Sequence, residues 1–184
     1  MELDGSNLPY VARDLRERDP VLFKEWVRHL RTGVVGLEDV SVREREEDKH
    51  LILQASFSGR HSRPVPSWLL SDGTLRLMAL TLLSYSARPE DRGLLLIEEP
   101  ENGLHPLAIL AAFEALADPT FDLQILCATH SPIFLAQVRM SQALVFRRHG
   151  EGHATVRHGP EVPELAEWTE RRNLADLLAT GVLA

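Results

Sequence analysis

Two adjacent carboxylates, Glu98 and Glu99, follow the aliphatic run Leu94-Leu95-Leu96-Ile97 and precede Pro100-Glu101-Asn102-Gly103-Leu104-His105-Pro106. Aliphatic residues broken by charge and then proline read as a strand buried on both faces, whose C-terminal end delivers its carboxylates to the rim of a sheet. In an open α/β sheet that rim is where ligands bind. Acidic residues also follow strands simply to cap the next helix, so the neighbours must decide. Two neighbours point to the same rim. Leu70-Ser71-Asp72-Gly73-Thr74 runs into the apolar stretch Leu77 to Leu83, which places Ser71, Asp72 and Gly73 at a helix start. Free N–H groups and the helix dipole favour an anion such as phosphate there. Plain N-capping by Ser71 or Asp72 accounts for the same pattern. Downstream, the run Phe121 to Ala128 ends in Thr129-His130-Ser131-Pro132, which puts His130 at the end of a second parallel strand.

The elements that must position these groups are legible along the chain. Leu8, Val11, Leu15, Leu22, Phe23, Trp26, Val27 and Leu30 recur at helical spacing, interrupted by Asp19-Pro20. This predicts two helices, the first capped by Ser6 or Asn7, the second capped by Asp19 with Pro20 at its first position and ended by Gly33 and Gly36. A mixed-sign run over residues 43–49, a solvated strand end or turn, separates Val40 and Val42 from a strand over His50 to Phe57, and a loop follows to Pro66. Pro106 starts a helix through Leu116, and Ala143 to Phe146 with His153 to Val156 read as a hairpin. Leu165, Trp168, Leu174, Leu177 and Leu178 suggest a terminal helix or helix pair.

The expected fold is α/β: a mostly parallel sheet flanked by helices, with a C-terminal hairpin and helix. It forms one domain over 1–184, with a lead-in to residue 66, a core over 67–140 and a tail over 141–184. At 184 residues and 44% hydrophobic the chain can bury one core. Its net charge of −7 argues against a wholly nucleic-acid-binding surface. The single cysteine, Cys127, excludes a disulfide framework. His149, His153 and His158 alternate along the strands of this hairpin and have no thiol nearby, so no zinc site is expected. No apolar span long enough for a bilayer and no signal-peptide order are present, so the expected location is the cytoplasm, with no membrane partner.

Ser-x-Gly at a helix start, Glu-Glu after an apolar strand and His after the next strand occur here in an order that resembles the C-terminal half of an ABC-type nucleotide-binding domain. Leu70 to Thr74 resembles the signature motif, Leu94 to Glu99 the Walker B strand with its adjacent glutamate, Glu101 to Pro106 the D-loop, and His130 the switch histidine. The wording Ser-Asp-Gly-Thr-Leu-Arg, Glu-Glu-Pro-Glu-Asn-Gly-Leu-His-Pro and Ala-Thr-His-Ser-Pro is similar to that of RecF, SMC and OLD-like ATPases, labelled AAA family ATPases in bacteria. Asp4 to Leu8 resembles a segment that follows the phosphate loop in these proteins.

The resemblance implies ATP and Mg²⁺ as cofactors. It implies that Glu98 holds the metal through water, Glu99 orients and deprotonates the attacking water, and His130 senses the γ-phosphate. Ser71, Asp72, Gly73 and Asn102 would bind nucleotide, with Ser71 and Gly73 reaching ATP held by a second subunit in a head-to-tail dimer. Glu98 stands where many relatives have aspartate. It further implies work in DNA repair or antiphage defence, with a nuclease or other effector, and leaves nucleic acid as a candidate partner.

One half of the pattern is absent: no Gly-x-x-x-x-Gly-Lys-Ser/Thr occurs in the sequence. Without that loop the chain alone should bind ATP weakly or not at all. Three explanations stand: a truncated fragment, half of a split ATPase whose partner carries the Walker A loop, or a diverged, non-catalytic interaction module. Retention of Ser71, Glu98, Glu99 and His130 favours the first two.

Overall fold

The computed structural model describes residues 5–59, 63–88, 93–118, 124–148 and 152–162. They form two compact units, Met1–Ala128 and Thr129–Ala184. The expected terminal helix, His149 and residues 121–123 lie outside the described residues.

In the first unit, helix α1 (Leu8–Arg18) and helix α2 (Pro20–Gly33) meet at the predicted break. Asp19 Oδ1 accepts from the N–H groups of Val21 and Leu22 at 3.1 and 2.9 Å, with Pro20 filling the position whose missing N–H costs nothing. Asn7 occupies the N-cap of α1 without a side-chain capping bond. Strands β1 (Leu37–Glu44) and β2 (Leu51–Phe57) pair antiparallel across the solvated turn, and a short β3 (Val65–Pro66) adds to β2 inside the segment expected to be loop. Helix α3 (Asp72–Ser86) and helix α4 (Pro106–Leu116) bracket strand β4 (Leu94–Glu98), which pairs in parallel with β5 (Gln124–Ala128).

The core joins the four helices to the inner face of β1 and β2. Trp26 is wholly buried and donates its indole N–H to Thr81 Oγ1 at 2.9 Å, while the Thr81 hydroxyl donates in turn to the Leu77 carbonyl at 2.8 Å. This chain of bonds lets two polar groups sit in an apolar interior without an unsatisfied donor. His29 Nε2 bonds the Ala111 carbonyl at 2.7 Å, tying α2 to α4.

The α/β class is as expected, with helices and both kinds of strand pairing: the described strands form three sheets, of which β4–β5 is parallel. The lead-in pairs antiparallel because a short turn joins β1 to β2, whereas parallel strands need a crossover such as α4. One expectation needs correcting: β4 is half-buried on one face and exposed on the other. Leu94 and Leu96 are 57% and 66% exposed, as is Leu126 of β5 at 43%, while Ile97 packs on the core. An aliphatic run specifies two apolar faces; among the described residues the helical layer covers one, and the other is exposed.

In the second unit, Ser131 caps the short helix α5 (Pro132–Leu135), and strands β6 (Leu144–Arg148) and β7 (Ala154–His158) form the expected hairpin. Val145 and Val162 are its buried centre, with Leu135, Val138 and Met140 against them. Among the described residues no helix is long and apolar enough to cross a membrane.

Candidate nucleotide site

Glu98 is the last residue of β4 in register with β5, opposite Ala128, and its side chain emerges on the exposed face shared by Leu94 and Leu96. Glu99 leaves the strand with φ +46°, a left-handed conformation costing a non-glycine residue on the order of 1–3 kcal/mol. The backbone around it is over-determined. Its N–H donates to the Ala128 carbonyl at 2.8 Å, and its own carbonyl accepts from Asn102 N–H at 3.0 Å. A second turn follows at once, with Leu104 N–H donating to the Glu101 carbonyl at 3.0 Å and Gly103 at φ +74°. The side chains of Glu98, Glu99 and Asn102 are exposed.

The start of α3 lies against this loop. Ser71 is the N-cap: its Oγ accepts from Thr74 N–H at 3.2 Å and pairs with Thr74 Oγ1 at 2.9 Å. The N–H groups of Asp72 and Gly73, in the first turn, have no intrahelical acceptor and face out of the helix end. Gly73 abuts the carbonyl of Gly103, and Arg76 Nη2 donates to the Glu99 carbonyl at 2.9 Å. Ser71, Asp72 and Gly73 are thereby brought to the loop that carries Glu99 and Asn102. The capping reading of Ser71 is thus realised. His130 belongs to the second unit, exposed in the turn that Thr129 Oγ1 closes by accepting Ser131 N–H at 3.0 Å.

The donor set fits a nucleotide carrying its own metal. Among the described residues no three His, Cys, Asp or Glu side chains gather into a metal cage. Magnesium needs none, since it is commonly held by one or two carboxylates together with substrate phosphates and water. Glu98 is a carboxylate of the kind such an ion takes, and the first N–H groups of α3 are donors of the kind a phosphate takes. A cavity of about 90 Å³ in the second unit, lined by Val145, Arg147, Thr155, Arg157 and Val162, is too small for a nucleotide.

Sequence reasoning passed over Arg76 and the close approach of Gly73 to Gly103. A signal for the first exists: a cation in the N-terminal half of a helix runs against the dipole, so an external acceptor should be sought for it.

A search of curated proteins finds no match to the chain. Among solved structures, the chain is similar to one from work on the "structural biochemistry of ATP-driven dimerization and DNA stimulated activation of SMC ATPases", with a TM-score of 0.56 and 12% identity over 86% of this chain and 99% of that one. At that identity the likeness speaks for the fold. Residues 8–136 match the family model described as "AAA domain, putative AbiEii toxin, Type IV TA system", a span that includes Ser71, Glu98, Glu99, Asn102 and His130. The sequence contains no Gly-x-x-x-x-Gly-Lys-Ser/Thr, and the chain belongs to this AAA family of P-loop ATPases.

Proposed function

We propose that the chain is the signature and Walker B lobe of a magnesium-dependent ATPase, catalytic when a second chain or subunit contributes the phosphate loop. The observation that carries this reading is Glu99: a carboxylate at the C-terminal end of a parallel strand, in a strained left-handed conformation held by bonds to its N–H and C=O. Such strain persists where surroundings over-determine it and concentrates at functional sites. Glu99 orients the attacking water and takes its proton, and Glu98 contacts the metal through water. Magnesium, when bound, offsets charge on the phosphates. Ser71 and the N–H groups of Asp72 and Gly73 bind the γ-phosphate of ATP presented by a partner in head-to-tail arrangement, with Asn102 in the same unit, and His130 has the role of γ-phosphate sensor. The SMC ATPases whose fold this chain resembles undergo ATP-driven dimerization, which supports a two-subunit site here. DNA repair or antiphage defence, in the cytoplasm and with a nuclease or other effector, is the setting this enzyme class fits.

The open apolar face of β4 and β5 favours a second reading, a non-catalytic interaction module that uses that face to hold a partner. Calorimetry with ATP and magnesium separates the two. The chain is titrated alone and after mixing with a phosphate-loop polypeptide encoded beside it. Binding by the mixture alone, with turnover abolished in Glu99→Gln while binding persists, is the expected result. A mixture that forms but neither binds nor hydrolyses ATP leaves the interaction module in possession; tight binding by the chain alone overturns the account of the phosphate site.

A further inference from the structure

We infer that Arg76 is the positioning residue of Glu99, and that it ties the conformation of the carboxylate-bearing turn to the start of α3. The inference rests on the catalytic reading of Glu99 for its consequence but not for its geometry. Three bonds fix the backbone of Glu99. Ala128 holds its N–H from β5, Asn102 holds its carbonyl from within the turn, and Arg76 holds the same carbonyl from α3 at 2.9 Å. Of these, the first belongs to the sheet rim and the second to the turn itself. Arg76 is the side chain that reaches in from another element.

The helix that carries Arg76 is pinned to the loop a second time, one turn earlier, where Gly73 rests on the Gly103 carbonyl. The two contacts bracket the loop at both its ends, residue 99 and residue 103. An anion drawn onto Ser71 and the N–H groups of Asp72 and Gly73 therefore acts on the same helical segment that holds Glu99 in its left-handed conformation. Arg76 is exposed and its bond is open to solvent, so it contributes little to global stability; its effect is on where the Glu99 carboxylate points. A planar guanidinium suits this task because it presents several donors in a fixed fork, and lysine would replace it only in part.

The test begins on the chain itself. Amide hydrogen exchange is followed for Glu99 and Asn102 in wild type, Arg76→Met and Arg76→Lys, beside thermal unfolding. Exchange at these two amides rises about fivefold in Arg76→Met, the factor corresponding to one net hydrogen bond. It recovers in part in Arg76→Lys, and the unfolding midpoint moves little. Unchanged exchange in Arg76→Met overturns the inference, and so does a rise spread evenly over the whole first unit, which would mark Arg76 as merely structural. The second arm uses ATP turnover by an assembly whose activity Glu99→Gln abolishes. There Arg76→Met lowers kcat by on the order of 10²-fold, the cost of a carboxylate misplaced by about 1 Å, with KM for ATP little changed. A fall confined to KM overturns the coupling to Glu99. If no assembly shows Glu99-dependent turnover, the catalytic reading fails while the exchange measurement still decides the role of Arg76.

Discussion

A side-chain carbon placed on Gly73 would lie 2.6 Å from the carbonyl oxygen of Gly103. The glycine of the helix start is thus demanded by the fold of its own chain, whatever phosphate it also admits. The obstructing atom is backbone and cannot swing aside, so Gly73→Ala must push α3 off the loop. The expected cost is about 1–3 kcal/mol, the range for overpacking a close contact. Differential scanning calorimetry checks it: Tm should fall by several degrees, whereas the exposed neighbour Asp72→Ala should lose much less. A Gly73→Ala chain as stable as wild type would mean the loop yields freely and does not brace the helix.

The Trp26 to Thr81 bond makes a sharper prediction, because both residues are wholly buried. Thr81→Val keeps the shape and removes the hydroxyl bonded to the indole N–H. The stranded donor should cost about 1–3 kcal/mol, while Thr81→Ser, which retains the hydroxyl, loses less. Urea unfolding followed by tryptophan fluorescence reads the difference as a lower midpoint with the slope unchanged. Equal losses in the two variants would assign the effect to the methyl group instead.

Cys127 is pushed up to about 11, first by burial and then by the charge of Glu101, from an ordinary value of 9.0. The thiol therefore binds its proton more tightly folded than unfolded. Its contribution to stability is fully present below pH 9 and is lost as pH rises through about 11. Burial likewise pushes Tyr85 up, which adds to the same alkaline loss. Two measurements follow. At pH 8 a thiol reagent should modify Cys127 much more slowly in the folded chain than in urea. Cys127→Ala should flatten part of the alkaline fall in stability. Rapid modification of the folded chain would show that the thiol is not held in its neutral form by burial.

What could be read in the sequence was whatever local chemistry decides. Asp19-Pro20, Ser71 and Pro106 mark helix starts because capping needs only neighbouring residues, and the structure begins α2, α3 and α4 there. The signature, Walker B and D-loop stretches were legible because each carries its residues in consecutive order. What depends on atoms distant in the chain was not. The pairing of β3 with β2, the bond from Arg76 to the Glu99 carbonyl and the approach of Gly73 to Gly103 join residues that no spacing rule relates. The same holds for β4: its aliphatic run implied a cover on each face, and only tertiary structure tells which face has one.

That uncovered face yields the last prediction. Leu94 and Leu96 of β4 and Leu126 of β5 present contiguous apolar surface on a two-stranded sheet, a combination that in a finished α/β protein is buried. A charge placed there should be nearly free in the chain alone and costly in an assembly. Leu96 is 66% exposed, so Leu96→Lys should leave the unfolding midpoint within about 0.5 kcal/mol of wild type. In the assembly the lysine would be taken out of water without a partner, and association with the phosphate-loop chain should weaken by at least tenfold, roughly 1.4 kcal/mol. Analytical ultracentrifugation of the mixture measures the second effect and thermal unfolding of the chain the first. If Leu96→Lys assembles as well as wild type, the face is not where the partner binds.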